Sequence, residues 1–200
     1  MARERARNDV RTRIAHMAAR LMVEDGIEDY AQAKRKAARQ AGAPDSRQLP
    51  TNEEVEGALR EYQQLYSPDQ HRTRLRRLRQ AALEVMRELS QFNPHLTGSV
   101  LSGSAGKYAD IDIQLFTDSV KAVELYLIDR GIAYKTTQHR LYSGDELCAI
   151  PVFMLENRDV PIQIEVLSPR DLRRPVRRNP GGKVVERAKT QAVEALLAAD

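Results

Sequence analysis

Residues 109–116, ADIDIQLF, alternate between apolar and polar side chains up to Leu115, and they constrain the fold more than any other segment. Such alternation is typical of a β-strand with one buried face, because successive side chains on a strand point to opposite sides. The apolar set Ile111, Ile113 and Leu115 is therefore predicted to face a core. The polar set Asp110, Asp112 and Gln114 is predicted to share the other face.

The rest of the chain divides around this strand. Helical spacing of apolar residues, a capping box at Thr51 and Glu54, and the pair Ser67-Pro68 predict helices over 9–24, 28–41, 51–66 and 68–89, with a loop at 42–50. Further strands are predicted at 96–101, 132–142, 147–155 and 160–167. A helix capped by Thr117 or Asp118 should follow the Asp-rich strand, and another should cover 183–198.

This succession predicts an α+β fold. We expect a helical region over residues 1–91 and a small mixed-sheet core over 92–170. A basic tail with a C-terminal helix should occupy 171–200.

Composition limits the cellular setting. No apolar run approaches the roughly 18 residues that a bilayer-spanning helix needs, so no membrane association is expected. The Arg-rich N-terminus lacks an apolar segment followed by a cleavage site, and Cys148 is the only cysteine. A cytoplasmic protein without disulfides is therefore expected, with Cys148 as a buried, inert thiol.

Charge is distributed unevenly along the chain. Residues 96–167 hold 6 Lys and Arg against 10 Asp and Glu, whereas residues 168–200 hold 8 against 4. An acidic stretch can hold a divalent metal, and a basic border can attract polyanions such as nucleoside triphosphates. Ordinary solvated surfaces are the alternative. The basic border contains a cluster of five arginines: Arg170, Arg173, Arg174, Arg177 and Arg178.

The pair Asp110 and Asp112 allows two interpretations. Same-face neighbours on a strand lie about 7 Å apart, where two carboxylates repel each other. A bridging divalent cation would explain the pair, since hard cations prefer carboxylate oxygens. A solvent-facing edge strand that uses acids to block pairing with other chains would explain it as well. The segment alone leaves both interpretations open.

Two other segments favour the metal. A connection rich in Gly and Ser, with Gly98 and Ser99 at its start, precedes the strand and can approach a phosphate closely. Downstream, VPIQIEVL alternates so that Gln163 and Glu165 share a polar face. A third acid on a neighbouring strand can complete a two-metal site. His139, among the later strands, could approach the same place.

The ordered set of Gly98-Ser99, ten residues, Asp110-Ile111-Asp112 and a later apolar-Glu165-apolar strand resembles the nucleotidyltransferase superfamily that includes DNA polymerase beta, the CCA-adding enzymes and the bacterial minimal nucleotidyltransferases. The resemblance covers roughly residues 95–167. Where that family often has Ser before the first Asp, this chain has Ala109.

The resemblance implies roles for these residues. Gly98 and Ser99 would bind the triphosphate, Asp110 and Asp112 would hold two magnesium ions, and Glu165 would be the third metal-binding and catalytic carboxylate. The implied reaction transfers a nucleoside monophosphate from a triphosphate to an acceptor hydroxyl on an RNA end, a protein or a small molecule, and it releases pyrophosphate. The alternative is a weakened module of the same fold that binds RNA or a protein partner.

Overall fold

The computed structural model describes residues 2–27, 29–43, 49–66, 68–156, 159–180 and 182–199. It divides into two compact units, one made of Met1–Thr73 with Gly103–Ala109 and the other of Arg74–Ser102 with Asp110–Asp200. The division into a helical region, a core and a tail at residues 91 and 170 stays a prediction. Within the described ranges, no helix combines the length and the apolar character that crossing a bilayer requires.

The first unit contains α1 (Ala2–Glu24), α2 (Tyr30–Gln40) and α3 (Asn52–Tyr66). Its core is rich in alanine, which lets the helices approach closely, and includes Ile14, Ala18, Ala37, Val55 and Leu59. The predicted capping box is confirmed: Thr51 N donates to Glu54 Oε2 at 2.6 Å, and Glu54 N donates to Thr51 Oγ1 at 3.2 Å. Part of the predicted 42–50 loop, residues 44–48, lies outside the described residues, as does Ser67.

The second unit takes most of α4 (Pro68–Glu88) and all of the sheet. Its strands are β1 (His95–Thr97), β2 (Ile111–Phe116), β3 (Tyr134–Ser143), β4 (Glu146–Leu155), β5 (Ile162–Leu167) and β6 (Val176–Arg177). Its other helices are α5 (Gly98–Ser102), α6 (Val120–Asp129) and α7 (Thr190–Ala199), with short 3-10 helices at Ser90–Phe92 and Pro169–Leu172. The predicted α+β fold is confirmed.

The six strands form one mixed sheet in the order β1-β2-β5-β4-β3-β6. Strands β2 and β5 are parallel, while the other neighbouring pairs are antiparallel. In the β2–β5 register, Asp112 lies opposite Gln163, and Gln114 lies opposite Glu165. The polar residues of both strands therefore share one face of the sheet.

The opposite face of β2 and β5 is apolar and closed to solvent. Ile111, Ile113, Leu115, Ile162 and Ile164 are each at most 3% exposed. The alternation predicted for ADIDIQLF and VPIQIEVL is therefore confirmed. Burial of these branched side chains holds the central strands together, and this fixes which side chains point to the polar face.

The C-terminal segment passes across the polar face. It pairs with β3 through Val176 and Ser143, and later with β1 through Ala188 and Leu96. Ala188 and Leu96 exchange backbone hydrogen bonds of 2.8 and 2.9 Å. Beneath the segment is a small apolar cluster made of Phe116, Leu141, Ile150, Leu167 and Val176, with Cys148 and Val185 packed against it.

Three sequence-based predictions of local structure were wrong. The strand predicted at 96–101 ends at Thr97, because Gly98 turns the backbone with φ +70° and α5 begins there. The helix predicted at 183–198 begins only at Thr190, because the preceding residues form bridges to the sheet. The cap of α6 is Ser119, whose Oγ accepts from Ala122 N at 3.1 Å.

Candidate active site

Gly98 lies directly against Asp112 at the point where β1 passes into α5. The Oγ1 of Thr97, the residue before Gly98, donates to the Asp112 carbonyl oxygen at 3.3 Å, in register with the β1–β2 pairing. A Cβ added to Gly98 would collide with Oδ2 of Asp112 and lie 3.1 Å from its Cγ. Glycine is therefore required both by the φ of +70° and by the carboxylate beside it.

Asp110 stands just before β2 and is only partly buried. The Gln163 side chain donates from Nε2 to Asp110 Oδ2 at 2.5 Å. Gln163 is also the residue opposite Asp112 in the strand register. An amide on β5 thus holds the first aspartate next to the second.

The environment of Asp112 disfavours its charged form. The pKa of Asp112 is raised from its usual 3.8 to about 6, mainly by burial; the Arg178 guanidinium opposes this rise, and the negative charges of Glu165 and Asp110 contribute to it. These influences show that the three acids lie within electrostatic range of one another. A cation placed at Asp112 would relieve both the desolvation and the repulsion.

Glu165 is 3% exposed, and the protein supplies donors to both of its oxygens. Oε1 accepts from Arg178 Nη1 at 3.0 Å and lies 2.9 Å from His139 Nδ1, while Oε2 accepts from Gln114 Nε2 at 2.8 Å. Burial alone would raise the pKa of Glu165, but the hydrogen bonds and the positive charge of Arg178 outweigh it and lower the pKa. Glu165 is therefore held as a carboxylate by its neighbours.

A polar network continues from Glu165 under the C-terminal segment. Arg187 Nε donates to Gln114 Oε1 at 2.8 Å, and Arg187 Nη1 donates to the Asp171 carbonyl at 3.0 Å. The Arg187 guanidinium also lies over the Phe116 ring, 4.8 Å from its centroid. This network orients Gln114 and, through it, one oxygen of Glu165.

The predicted site residues are thus placed as follows. Gly98, Asp110, Asp112 and Glu165 lie on or beside the polar face of β2 and β5. Ser99 is half-buried in the first turn of α5, where its carbonyl accepts from Ser102 Oγ at 3.4 Å. The contact of His139 with Glu165 confirms that it reaches this part of the sheet.

Of the arginine cluster, Arg178 contacts Glu165, one of the predicted acids, whereas Arg174 lies 3.9 Å from the exposed Glu146. Sequence reasoning assigned no role to Gln163 or Gln114, although the alternation had placed both on the polar face. It missed Arg187 altogether, since no local pattern marks that residue. Cys148 is half-buried rather than buried, and burial raises the pKa of its thiol.

The donor set of this face can be compared with the needs of a metal. Among the described residues, no three His, Cys, Asp or Glu side chains are grouped so that they could hold one ion together. Magnesium, however, is commonly held by one or two carboxylates, with phosphate oxygens and water completing its shell. Asp110 and Asp112 fit that requirement. Glu165 fits it less well, because both of its oxygens already accept hydrogen bonds.

Comparison with known proteins gave a single kind of likeness. No family model matches the chain, and no curated protein matches it. A solved structure described as a cytoplasmic RNA terminal U-transferase is 26% identical over 48% of this chain and 27% of that chain, with a TM-score of 0.29. The chain thus spans about a quarter of that protein's length, and so low a TM-score assigns neither fold nor activity by itself.

Proposed function

We propose that this chain is a metal-dependent nucleotidyltransferase. It would transfer a nucleoside monophosphate from a nucleoside triphosphate to an acceptor hydroxyl and release pyrophosphate. The acceptor would be an RNA end, a protein or a small molecule. The observation that carries the proposal is the placement of the Asp112 carboxylate over Gly98, with Asp110 beside it, where β1 turns into α5.

The charge of the site supports the same proposal. A half-buried aspartate whose pKa is raised to about 6, mainly by desolvation and also by neighbouring acids, is costly unless a cation is bound there. A structural role would be served better by a neutral side chain. The simplest account of the retained pair is that Asp110 and Asp112 hold magnesium, and two ions would match the family that the sequence resembles.

In the proposed reaction the acceptor oxygen forms a bond to the α-phosphorus of the triphosphate. The bond from that phosphorus to the bridging oxygen breaks, pyrophosphate departs with the electron pair, and the hydroxyl proton passes to water or to a carboxylate. Bound magnesium would supply charge neutralisation on the phosphate oxygens. Gly98 would let the backbone approach the phosphates, and Asp110 and Asp112 would orient the bound triphosphate.

One observation favours the second candidate, a weakened module that binds RNA or a protein. Glu165, the expected third acid, is neutralised within the chain by Arg178. A site that relies on Asp110 and Asp112 alone to hold metal could bind a nucleotide without turning it over. Binding and transfer must therefore be measured separately.

The test is binding of ATP, CTP, GTP and UTP, with magnesium or with a chelator, followed by thermal shift and calorimetry. A ligand of the folded state raises apparent stability by mass action. We expect at least one triphosphate to stabilise the protein with magnesium, and Asp112→Asn to abolish the effect. The exposed Asp118→Asn is the control. No magnesium-dependent binding of any triphosphate would refute the proposal, and binding without transfer would favour the weakened module.

A further inference from the structure

We infer that Arg178 binds the β- and γ-phosphates of the nucleoside triphosphate and that Glu165 is the positioning residue that holds Arg178 in place, rather than a third metal ligand. This inference rests on the proposed function and assigns a different task to the third acid of the site. It would make Arg178, contributed by the C-terminal segment, a part of the binding site.

The first support is the way in which Glu165 is used. A carboxylate that serves a metal must present an oxygen to it. Glu165 instead directs Oε1 to Arg178 and His139 and Oε2 to Gln114, at distances of 2.8 to 3.0 Å. With a side chain only 4% exposed, it is enclosed by these donors. Breaking this set would leave a buried charge unpaired, which strongly destabilises a folded protein.

The second support is the incomplete use of Arg178. Its guanidinium carries five N–H donors, and the contact with Glu165 uses Nη1 alone. Among the described residues, no other acceptor is hydrogen-bonded to it. The side chain remains 44% exposed. An arginine retained only to neutralise a buried acid would be expected to bind bidentately and to be more enclosed.

The third support is the position of this cation relative to the metal-binding pair. Arg178 contacts Glu165 at 3.0 Å, and Glu165 lies opposite Gln114, which is two residues from Asp112 on the same face of β2. The free donors therefore belong to the same face of the sheet as the carboxylates that would hold magnesium. A triphosphate bound through that metal would bring its terminal phosphates into the same region, where a planar guanidinium can bind two phosphate oxygens at once.

These observations assign a task to each partner. Glu165 fixes the direction of Arg178 through Oε1, and Gln114 and His139 fix Glu165. Arg178 then stabilises the negative charge that develops on pyrophosphate as the bond to the α-phosphorus breaks. No covalent step involves either side chain.

The test compares Arg178→Gln, Glu165→Gln and the double variant with Arg174→Gln as the matched control. Arg174 belongs to the same cluster, but its carboxylate neighbour is the exposed Glu146. Calorimetry measures the binding of the best magnesium triphosphate, its monophosphate, inorganic pyrophosphate and manganese alone. Charge-assisted hydrogen bonds are worth about 1.5–3 kcal/mol, so Arg178→Gln should weaken triphosphate and pyrophosphate binding by about 10- to 100-fold.

Arg178→Gln should change the affinities for manganese and for the monophosphate by no more than about twofold. Arg174→Gln should change the affinity for every ligand by no more than about twofold. Glu165→Gln should weaken triphosphate binding but retain manganese. The double variant should bind the triphosphate no more weakly than Arg178→Gln does, because the effects of residues that act through one another are not additive. Arg178→Lys keeps the positive charge but loses the planar pair of N–H donors, so its triphosphate affinity should lie between those of the unmodified protein and Arg178→Gln. Melting temperatures would show that each variant is folded.

Four results would overturn the inference. Manganese affinity lost in Glu165→Gln would make Glu165 a metal ligand. Additive losses in the double variant would mean that Glu165 acts independently of Arg178. Unchanged triphosphate binding in Arg178→Gln, with binding still abolished in Asp112→Asn, would refute this inference but leave the proposed function intact. Absence of triphosphate binding in the unmodified protein would refute both.

Discussion

The carboxylate of Asp112 occupies the space that a side chain on residue 98 would need. Gly98 has a φ of +70°, and an added Cβ would collide with Asp112 Oδ2. The glycine of the Gly-Ser pair and the second aspartate of the Asp-Ile-Asp segment are therefore packed directly against each other. Changing either residue should change the behaviour of the other.

Gly98→Ala should destabilise the protein more than an equally strained glycine substitution elsewhere. A positive φ costs a non-glycine residue about 1–2 kcal/mol, and the collision with Asp112 should bring the total to roughly 2–4 kcal/mol. Gly144→Ala is the matched control, since Gly144 has a φ of +64° and, among the described residues, nothing within 4 Å of an added Cβ. Urea unfolding measures both variants.

The double variant Gly98→Ala, Asp112→Ala separates collision from strain. Measured against the single variant Asp112→Ala, the double variant should lose only about as much stability as Gly144→Ala loses against the unmodified protein, because only the strain of the positive φ is left. Equal losses in Gly98→Ala and Gly144→Ala would contradict the contact between residues 98 and 112.

Asp112→Asn should stabilise the metal-free protein in a pH-dependent way. The folded-state pKa of Asp112 is raised from 3.8 to about 6, so the folded state holds this proton more tightly than the unfolded state. The contribution of Asp112 to stability is then fully present below pH 4 and is lost as the pH rises through 6. Above pH 6, the free energy of unfolding of the variant should exceed that of the unmodified protein by on the order of 2–3 kcal/mol.

Urea unfolding in chelator between pH 3.5 and 7.5 provides the measurement. The difference in unfolding free energy between Asp112→Asn and the unmodified protein should grow between about pH 4 and pH 6. The exposed Asp118→Asn should instead give a curve parallel to that of the unmodified protein. Parallel curves for Asp112→Asn and the unmodified protein would mean that the folded-state pKa of Asp112 is not raised.

Arg187→Met should destabilise the protein by about 1–3 kcal/mol, which is the usual cost of leaving a buried polar group without its partner. The variant keeps an unbranched apolar side chain over Phe116 but removes the donor to Gln114, whose side chain is 0% exposed. Urea unfolding is the measurement, and Lys189→Met, an exposed cation two residues further on, is the control. A loss no larger than that of Lys189→Met would show that the network adds nothing to stability.

Much of the fold followed from the sequence because it depends on neighbours along the chain. The alternation in ADIDIQLF and VPIQIEVL predicted which side chains of β2 and β5 are buried, since a strand presents successive residues to opposite faces. The capping box at Thr51 is a contact between residues three positions apart, and the helices of the first unit follow from apolar spacing. The grouping of Asp110, Asp112 and Glu165 was predicted from the same periodicity together with the resemblance to the nucleotidyltransferase superfamily.

The tertiary structure alone decided how those residues are used. The β2–β5 register puts Gln163, and not Glu165, opposite Asp112, and period-2 alternation is the same for any register shifted by two residues. The return of the C-terminal segment across the sheet brings Arg178 to Glu165 and Arg187 to Gln114, the latter over 73 positions of sequence. Such contacts depend on the packing of the whole unit and on the closure of long loops, so no local pattern encodes them. The sequence by itself determined which residues face the site, and the tertiary structure decided which of its charges are paired within the protein.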